Sequence, residues 1–116
     1  MSSIVMYHNP RCSKSRQTLA LLQEKGIEPA IVEYLKTPPN NEELTRVLAA
    51  LGMSAKELIR TGEEEYKALK LAEFNGSEAE LVAILCQHPK LIQRPIVING
   101  DQAKIGRPPE DVLQIV

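Results

Sequence analysis

Apolar and polar positions change period several times along this chain, and each change marks an element. The run Ile4-Val5-Met6-Tyr7 is short and β-rich, which fits a buried strand. From Ser15 to Lys25 the stretch "SRQTLALLQEK" carries apolar residues at helical spacing, Leu19 and Leu22 among them, and Gly26 follows as a helix stop. Ala30 to Leu35, "AIVEYL", returns to a strand pattern. Strand, helix and strand within about thirty residues make a βαβ unit, whose strands run parallel with a right-handed crossover.

The middle of the chain is helical and well punctuated. Asn40 and Glu43 form a capping signal ahead of Leu44, Val47, Leu48 and Leu51, and Gly52 ends that face. Ser54 with Glu57 repeats the signal, Met53 and Leu58 are spaced as a hydrophobic staple, and the short helix runs to Arg60. "EEEYKALKLAEF" reads as a helix with a solvated acidic start. Ser77 and Glu80 cap a last insert helix, which Pro89 stops, with His88 as a structural helix-end residue. The final third is a β-hairpin, "RPIVINGDQAKIG", turning at Asn99-Gly100 as a type I′ pair would, followed by a helix with prolines in its first turn. The order βαβ, helical insert, ββ, α predicts an α/β, thioredoxin-like fold with a mixed four-stranded sheet, as a single domain over residues 1–116.

Composition narrows what this fold does. Aromatics are 3% with no Trp, and the net charge is -1, which argues against nucleic acid as a partner. No apolar stretch reaches the ~18 residues of a membrane span, and no signal peptide is visible, so a cytoplasmic protein is expected. Cys12 and Cys86 are far apart and form neither a C-x-x-C pair nor a zinc pattern, so no bound metal is expected.

The chemistry gathers in "YHNPRCSKSR". Cys12 sits where a strand feeds a helix, among His8, Arg11, Lys14 and Arg16. Unpaired N–H groups and the helix dipole at such a junction, with nearby cations, lower a thiol pKa from ~8.5 into the range ~3.5–7.5. The same helix start holds oxyanions. The plainer alternative is a loop cysteine beside solvated cations. Ser15 occupies the place of a second loop cysteine, so a redox cycle at Cys12 needs an external thiol or Cys86, and Ser15 is placed to donate a hydrogen bond to the thiolate. Cys86, beside Val82 and Leu85, reads as a core position. Arg60 at a helix end, Arg94 before Pro95 and Arg107 before Pro108 are each, taken singly, surface arginines. Together with an activated thiol they describe a site for a tetrahedral oxyanion, which guanidinium groups bind bidentately. In a thioredoxin-like sheet the proline opening the third strand is typically cis and packs beside the redox cysteine. Pro95 in that place brings Arg94 to Cys12.

Five segments, "YHNPRCSKSRQTL", "YLKTPP", "LGMSAKELIR", "HPKLIQRPIVI" and "GRPPEDVL", resemble in order and spacing the glutaredoxin-coupled arsenate reductases, the ArsC family, and most closely its short YfgD-type members. The resemblance implies that Cys12 is the nucleophile and that His8 helps to lower its pKa. It also implies that Arg60, Arg94 and Arg107 hold arsenate and its covalent adduct. Glutathione is then the co-substrate and glutaredoxin the partner, with no bound cofactor. One departure is visible: Ser13-Lys14 stands between the cysteine and the serine where studied arsenate reductases carry Gly-Thr. Two readings of the same fold compete. One is an Spx-like regulator that binds RNA polymerase, whose usual C-x-x-C switch is missing here. The other is a thiol oxidoreductase acting on a different oxidised substrate.

Overall fold

Strands β1 (Ile4–Tyr7), β2 (Ala30–Val32), β3 (Ile96–Asn99) and β4 (Gln102–Ile105) form one mixed sheet, ordered β2-β1-β3-β4, in the computed structural model, which describes residues 4–116. The first three positions, part of the stretch over which the sequence predicts no leader, lie outside the described residues. β1 pairs in parallel with β2, with Tyr7 opposite Val32, and antiparallel with β3, with Tyr7 opposite Ile96. β4 pairs antiparallel with β3. This is the mixed four-stranded, thioredoxin-like arrangement expected from the element order.

The chain divides into two compact units. The sheet unit comprises Met1–Thr37 and Arg94–Val116, and the helical unit is Pro38–Gln93. In the sheet unit, helix α1 (Ser13–Glu24) buries Ser15, Thr18 and Leu22, the three- and four-residue steps of one helical face. Leu22 joins Met6, Val97, Val112 and Ile115 in a core cluster, with Ile4, Leu19 and Ile27 packed against it. Burying a leucine of this kind stabilises by roughly 1.5–3 kcal/mol. The closing element is a 3-10 helix over Pro109–Gln114, not an α-helix, and it packs on α1 and β4.

Two further boundaries differ from the sequence reading. β2 ends at Val32, because Glu33–Thr37 folds into a turn in which Lys36 and Thr37 N–H groups both donate to the Glu33 carbonyl. The hairpin turns one residue later than expected. Asn99 pairs with Gln102, so Gly100-Asp101 is the loop. Only Gly100 has positive φ, at 64°, which meets the type II′ requirement at the first loop position and not the type I′ requirement at both. Asn99 is thereby kept as a strand residue, and its side-chain amide donates to the Ile115 carbonyl.

The helical unit contains α2 (Asn41–Leu51), α3 (Ala55–Leu58), α4 (Glu64–Ala68) and α5 (Glu78–Gln87). Asn40, Ser54 and Ser77 cap α2, α3 and α5, each in a complete capping box with the glutamate three residues on. α5 packs on α2 and α3, and its Glu78 carboxylate accepts from the Ala55 N–H at 2.8 Å. α3 stops at Leu58, two residues short of Arg60, because Ile59 is extended and bridges Ile92. The stretch expected as one helix from Glu63 to Phe74 breaks after α4, where Lys70 takes φ 53°, and resumes as a 3-10 turn over Leu71–Glu73. Cys86 is half-buried, whereas Leu81, Val82 and Leu85 are the buried residues of α5, so it stands at the margin of the core. Burial, and then the charge of Glu43, push its thiol pKa up. No helix among the described residues is long and apolar enough to cross a membrane.

Candidate active site

Beyond Tyr7 the chain leaves the sheet, with the His8 N–H still donating to the Val32 carbonyl at 2.9 Å. Asn9 shapes the turn that follows. Its side-chain oxygen accepts from the Arg11 N–H at 3.0 Å, and its carbonyl accepts from the Cys12 N–H at 3.0 Å. Cys12 then occupies the N-cap of α1 in extended conformation, φ -94° and ψ 124°, with its carbonyl accepting from Arg16 N–H. No side-chain oxygen caps this helix. The sulfur stands where a capping oxygen would stand, and the N–H groups of Ser15 and Lys14 favour its anion.

Two arginines from the far end of the sheet unit come to that sulfur. Arg107 Nη2 lies 3.9 Å from Cys12 Sγ, while its Nε donates to the Arg94 carbonyl at 2.8 Å. The Arg94 guanidinium also bears on the Cys12 sulfur through its charge. Its Nε is buried and has no hydrogen-bond partner, a donor left over. The Arg94-Pro95 bond is cis, as expected for the proline opening the third strand, and the Arg107-Pro108 bond is cis as well. Gly106 locks the two segments onto α1. Its N–H donates to the Pro95 carbonyl at 2.9 Å, and a Cβ there would lie 2.5 Å from Thr18 Oγ1 and 2.8 Å from Pro95 Cγ.

The electrostatics follow from these contacts. Burial pushes the Cys12 thiol up, yet the Arg94 hydrogen bond and charge, with the Ser15 and Lys14 N–H groups, outweigh it. The net position lies below the ordinary thiol value. His8 makes a different contact: its Nδ1 is 2.7 Å from Ser15 Oγ, which also accepts from the Asn9 N–H at 3.0 Å. Burial lowers the His8 pKa, the charge of Glu33 opposes that, and Arg16 reinforces it. His8 is joined to the thiol loop through Ser15. Ser15 is fully buried, with its hydroxyl already engaged by His8 and Asn9.

Of the residues singled out in the sequence, the structure gathers Cys12, His8, Ser15, Arg94, Pro95 and Arg107 within the sheet unit. Arg60 belongs to the helical unit, half-buried, with its N–H donating to the Leu91 carbonyl at 2.7 Å. Arg16 turns back to the Pro10 carbonyl, and Arg11 is exposed. Sequence reasoning missed the inward turn of Tyr34, which reads there only as an apolar member of a strand; no local pattern marks it as the stacking partner of Tyr7. Among the described residues, no group of three or more His, Cys, Asp or Glu is arranged to hold a metal ion.

Comparison with known proteins gives a consistent answer. The ArsC family profile matches residues 7–115. The chain is 51% identical to an arsenate reductase of Haemophilus influenzae over 98% of its own length and 99% of the relative's. It is 53% identical to the uncharacterized protein YfgD of Escherichia coli K12, covering 97% of this chain and 96% of that one. An arsenate reductase from Vibrio cholerae has a structure similar to this one, with a TM-score of 0.95 and 50% identity over 99% of this chain and 98% of the other.

Proposed function

The chain belongs to the ArsC family, and from that premise we propose that it is an arsenate reductase, a single ArsC-type domain that uses Cys12 as nucleophile in the cytosol and glutathione with glutaredoxin as its source of electrons. The observation that carries this reading is the convergence of Arg94 and Arg107 on a cysteine sulfur at the open start of a helix. That arrangement favours negative charge twice, on the sulfur before reaction and on oxygen during it.

The chemistry then runs in three steps. The Cys12 thiolate forms a bond to arsenic, and a protonated oxygen leaves as water or hydroxide. Glutathione attacks the Cys12 sulfur of that thioarsenate. The sulfur–arsenic bond breaks with its electron pair staying on arsenic, so As(V) becomes As(III) and leaves as arsenite. Glutaredoxin reduces the remaining Cys12–glutathione disulfide and restores the thiolate. Ser15 excludes a disulfide within the loop, which is why the electrons come from outside. Arg94 and Arg107 hold the anion, with the buried unpaired Nε of Arg94 as one available donor; for Arg60 that role rests on the family resemblance alone. His8 acts through Ser15, holding its hydroxyl and the start of α1 in place beneath the sulfur. Pro95 fixes the direction in which Arg94 leaves the sheet.

The test is arsenite formation from arsenate with glutathione and glutaredoxin supplied. Turnover by the wild-type protein and none by Cys12→Ser is the expected result. Equal activity in the two proteins overturns the reading.

A further inference from the structure

Asn9 fastens the thiol loop at three points. Asn9-Pro10-Arg11-Cys12 is a β-turn, closed by the Cys12 N–H on the Asn9 carbonyl at 3.0 Å. Asparagine first and proline second are residues that such a turn favours, and the proline brings a fixed φ with no N–H to satisfy. The Asn9 side-chain oxygen closes a second ring over the same turn, on the Arg11 N–H at 3.0 Å. The Asn9 N–H donates to Ser15 Oγ at 3.0 Å, which ties the turn to the first turn of α1. Asn9 is buried, although the Pro10 and Arg11 that follow it are exposed. The N–H groups of Asn9, Arg11 and Cys12 are thus all engaged within the loop. Those left for the sulfur are the first of α1 itself, from Ser13, Lys14 and Ser15, which a helix start does not pair internally.

We propose that Asn9 is a positioning residue for the nucleophile: its side-chain oxygen on the Arg11 N–H, with its carbonyl on the Cys12 N–H, holds Cys12 in the extended N-cap conformation that presents the sulfur to Arg107 and to the open start of α1. This deepens the proposed function, because it rests on Cys12 being the nucleophile. Truncating the Asn9 side chain leaves the carbonyl bond and frees the Arg11 N–H, so one bond closes the turn where two did. Arg107 Nη2 is 3.9 Å from the sulfur, and the attraction between charges weakens with distance. A sulfur that wanders from its place therefore loses part of what favours its anion. The charged and titratable groups around it are Arg94, Arg107 and Lys14, with His8 joined through Ser15 and Glu33 bearing on His8. Arg11 is exposed, and Arg16 is bonded to the Pro10 carbonyl. Truncation at Asn9 removes none of these groups and adds no charge, so a change in the ionisation of Cys12 reports where the sulfur is held.

The experiment measures the pH dependence of Cys12 alkylation by iodoacetamide in a Cys86→Ser background, so that a single thiol reacts. No arsenate is present, so the outcome does not depend on what the substrate is. Asn9→Ala removes the side-chain acceptor, and its expected effect is a rise of roughly 0.5–1 pH unit in the midpoint. Asn9→Ser supplies a hydroxyl that closes the same kind of turn more weakly, and its rise should be smaller. A purely structural role lowers the thermal unfolding temperature of Asn9→Ala and leaves the alkylation midpoint where it was. An unchanged midpoint in folded Asn9→Ala therefore overturns the proposal, as does a rise in Asn9→Ser as large as that in Asn9→Ala. If Asn9→Ala is unfolded, amide hydrogen exchange of Arg11 in the parent protein decides instead. Exchange slower than that of an exposed loop amide supports the proposal, and exchange at the rate of a free amide overturns it. Arsenate turnover is assayed in parallel. Its absence in the parent protein counts against the reductase reading, while the alkylation profile still decides the role of Asn9.

Discussion

Three helices of the helical unit begin in the opposite way to the first helix of the sheet unit. In the helical unit, α2, α3 and α5 start with complete capping boxes and carry one or two glutamates in their first turns. In the sheet unit, α1 has no side-chain cap and no acidic residue in its first turn, and Lys14 and Arg16 add positive charge where the helix dipole is already positive. For stability alone this is the wrong choice. Side chains of the helical unit satisfy free N–H groups at the starts of α2, α3 and α5, though not of α4; the sheet unit leaves those of α1 facing a sulfur and the space in front of it. A helix start kept open is a place for an anion, first the thiolate and then, on the proposed function, the oxyanion it attacks.

The contrast can be broken from either side. Cys12→Ser has the largest effect: arsenate-dependent turnover is expected to fall to background, while the circular dichroism spectrum stays unchanged because serine is itself a capping residue. Arg94→Ala comes next. Losing a charged hydrogen bond of roughly 1.5–3 kcal/mol predicts a decrease in kcat/KM of about ten- to a hundredfold. The alkylation midpoint of Cys12 should also move upward, since Arg94 is the chief group holding that thiol below its ordinary pKa. A midpoint that stays put in Arg94→Ala assigns the lowering to the helix start alone.

Removing a cap from the helical unit should act on stability and leave the thiol alone. Ser77→Ala or Asn40→Ala is expected to cost about 1 kcal/mol in a urea titration, with the Cys12 alkylation profile unmoved. A shifted profile would break the division drawn here between the units. The smallest effect comes from giving α1 what the other helices have. Ser13→Glu places a carboxylate in its first turn and should stabilise by about 0.3–1 kcal/mol. The same charge should raise the Cys12 midpoint and the KM for arsenate. Stability and activity moving together in this variant would show that the open helix start has no role in anion binding.

Much of this was legible because the signals are local. The three capping boxes, the strand-to-helix junction at Cys12 and the proline opening the third strand lie within a few residues of the effects they produce. Errors fell where local pattern competes with tertiary pairing. Asn99-Gly100 is the better isolated turn dipeptide, but pairing β3 with β4 in register, and Asn99 with the Ile115 carbonyl, moved the turn to Gly100-Asp101. "AIVEYL" reads as one strand, yet its last part turns, and Tyr34 goes inward to Tyr7.

The sequence by itself therefore determined the order of elements, the fold they build and the chemical character of the thiol loop, since each depends on neighbours along the chain. Only the tertiary structure decided which cations face the sulfur. Arg11 and Arg16 are close in sequence, but Arg11 is exposed and Arg16 turns back to the Pro10 carbonyl, whereas Arg94 and Arg107, more than eighty positions away, are brought in by the antiparallel strands β3 and β4 that they flank. The physical reason is range: a cap or a turn is settled over three or four residues, but the field at an atom is settled by whatever the fold puts within a few ångströms of it.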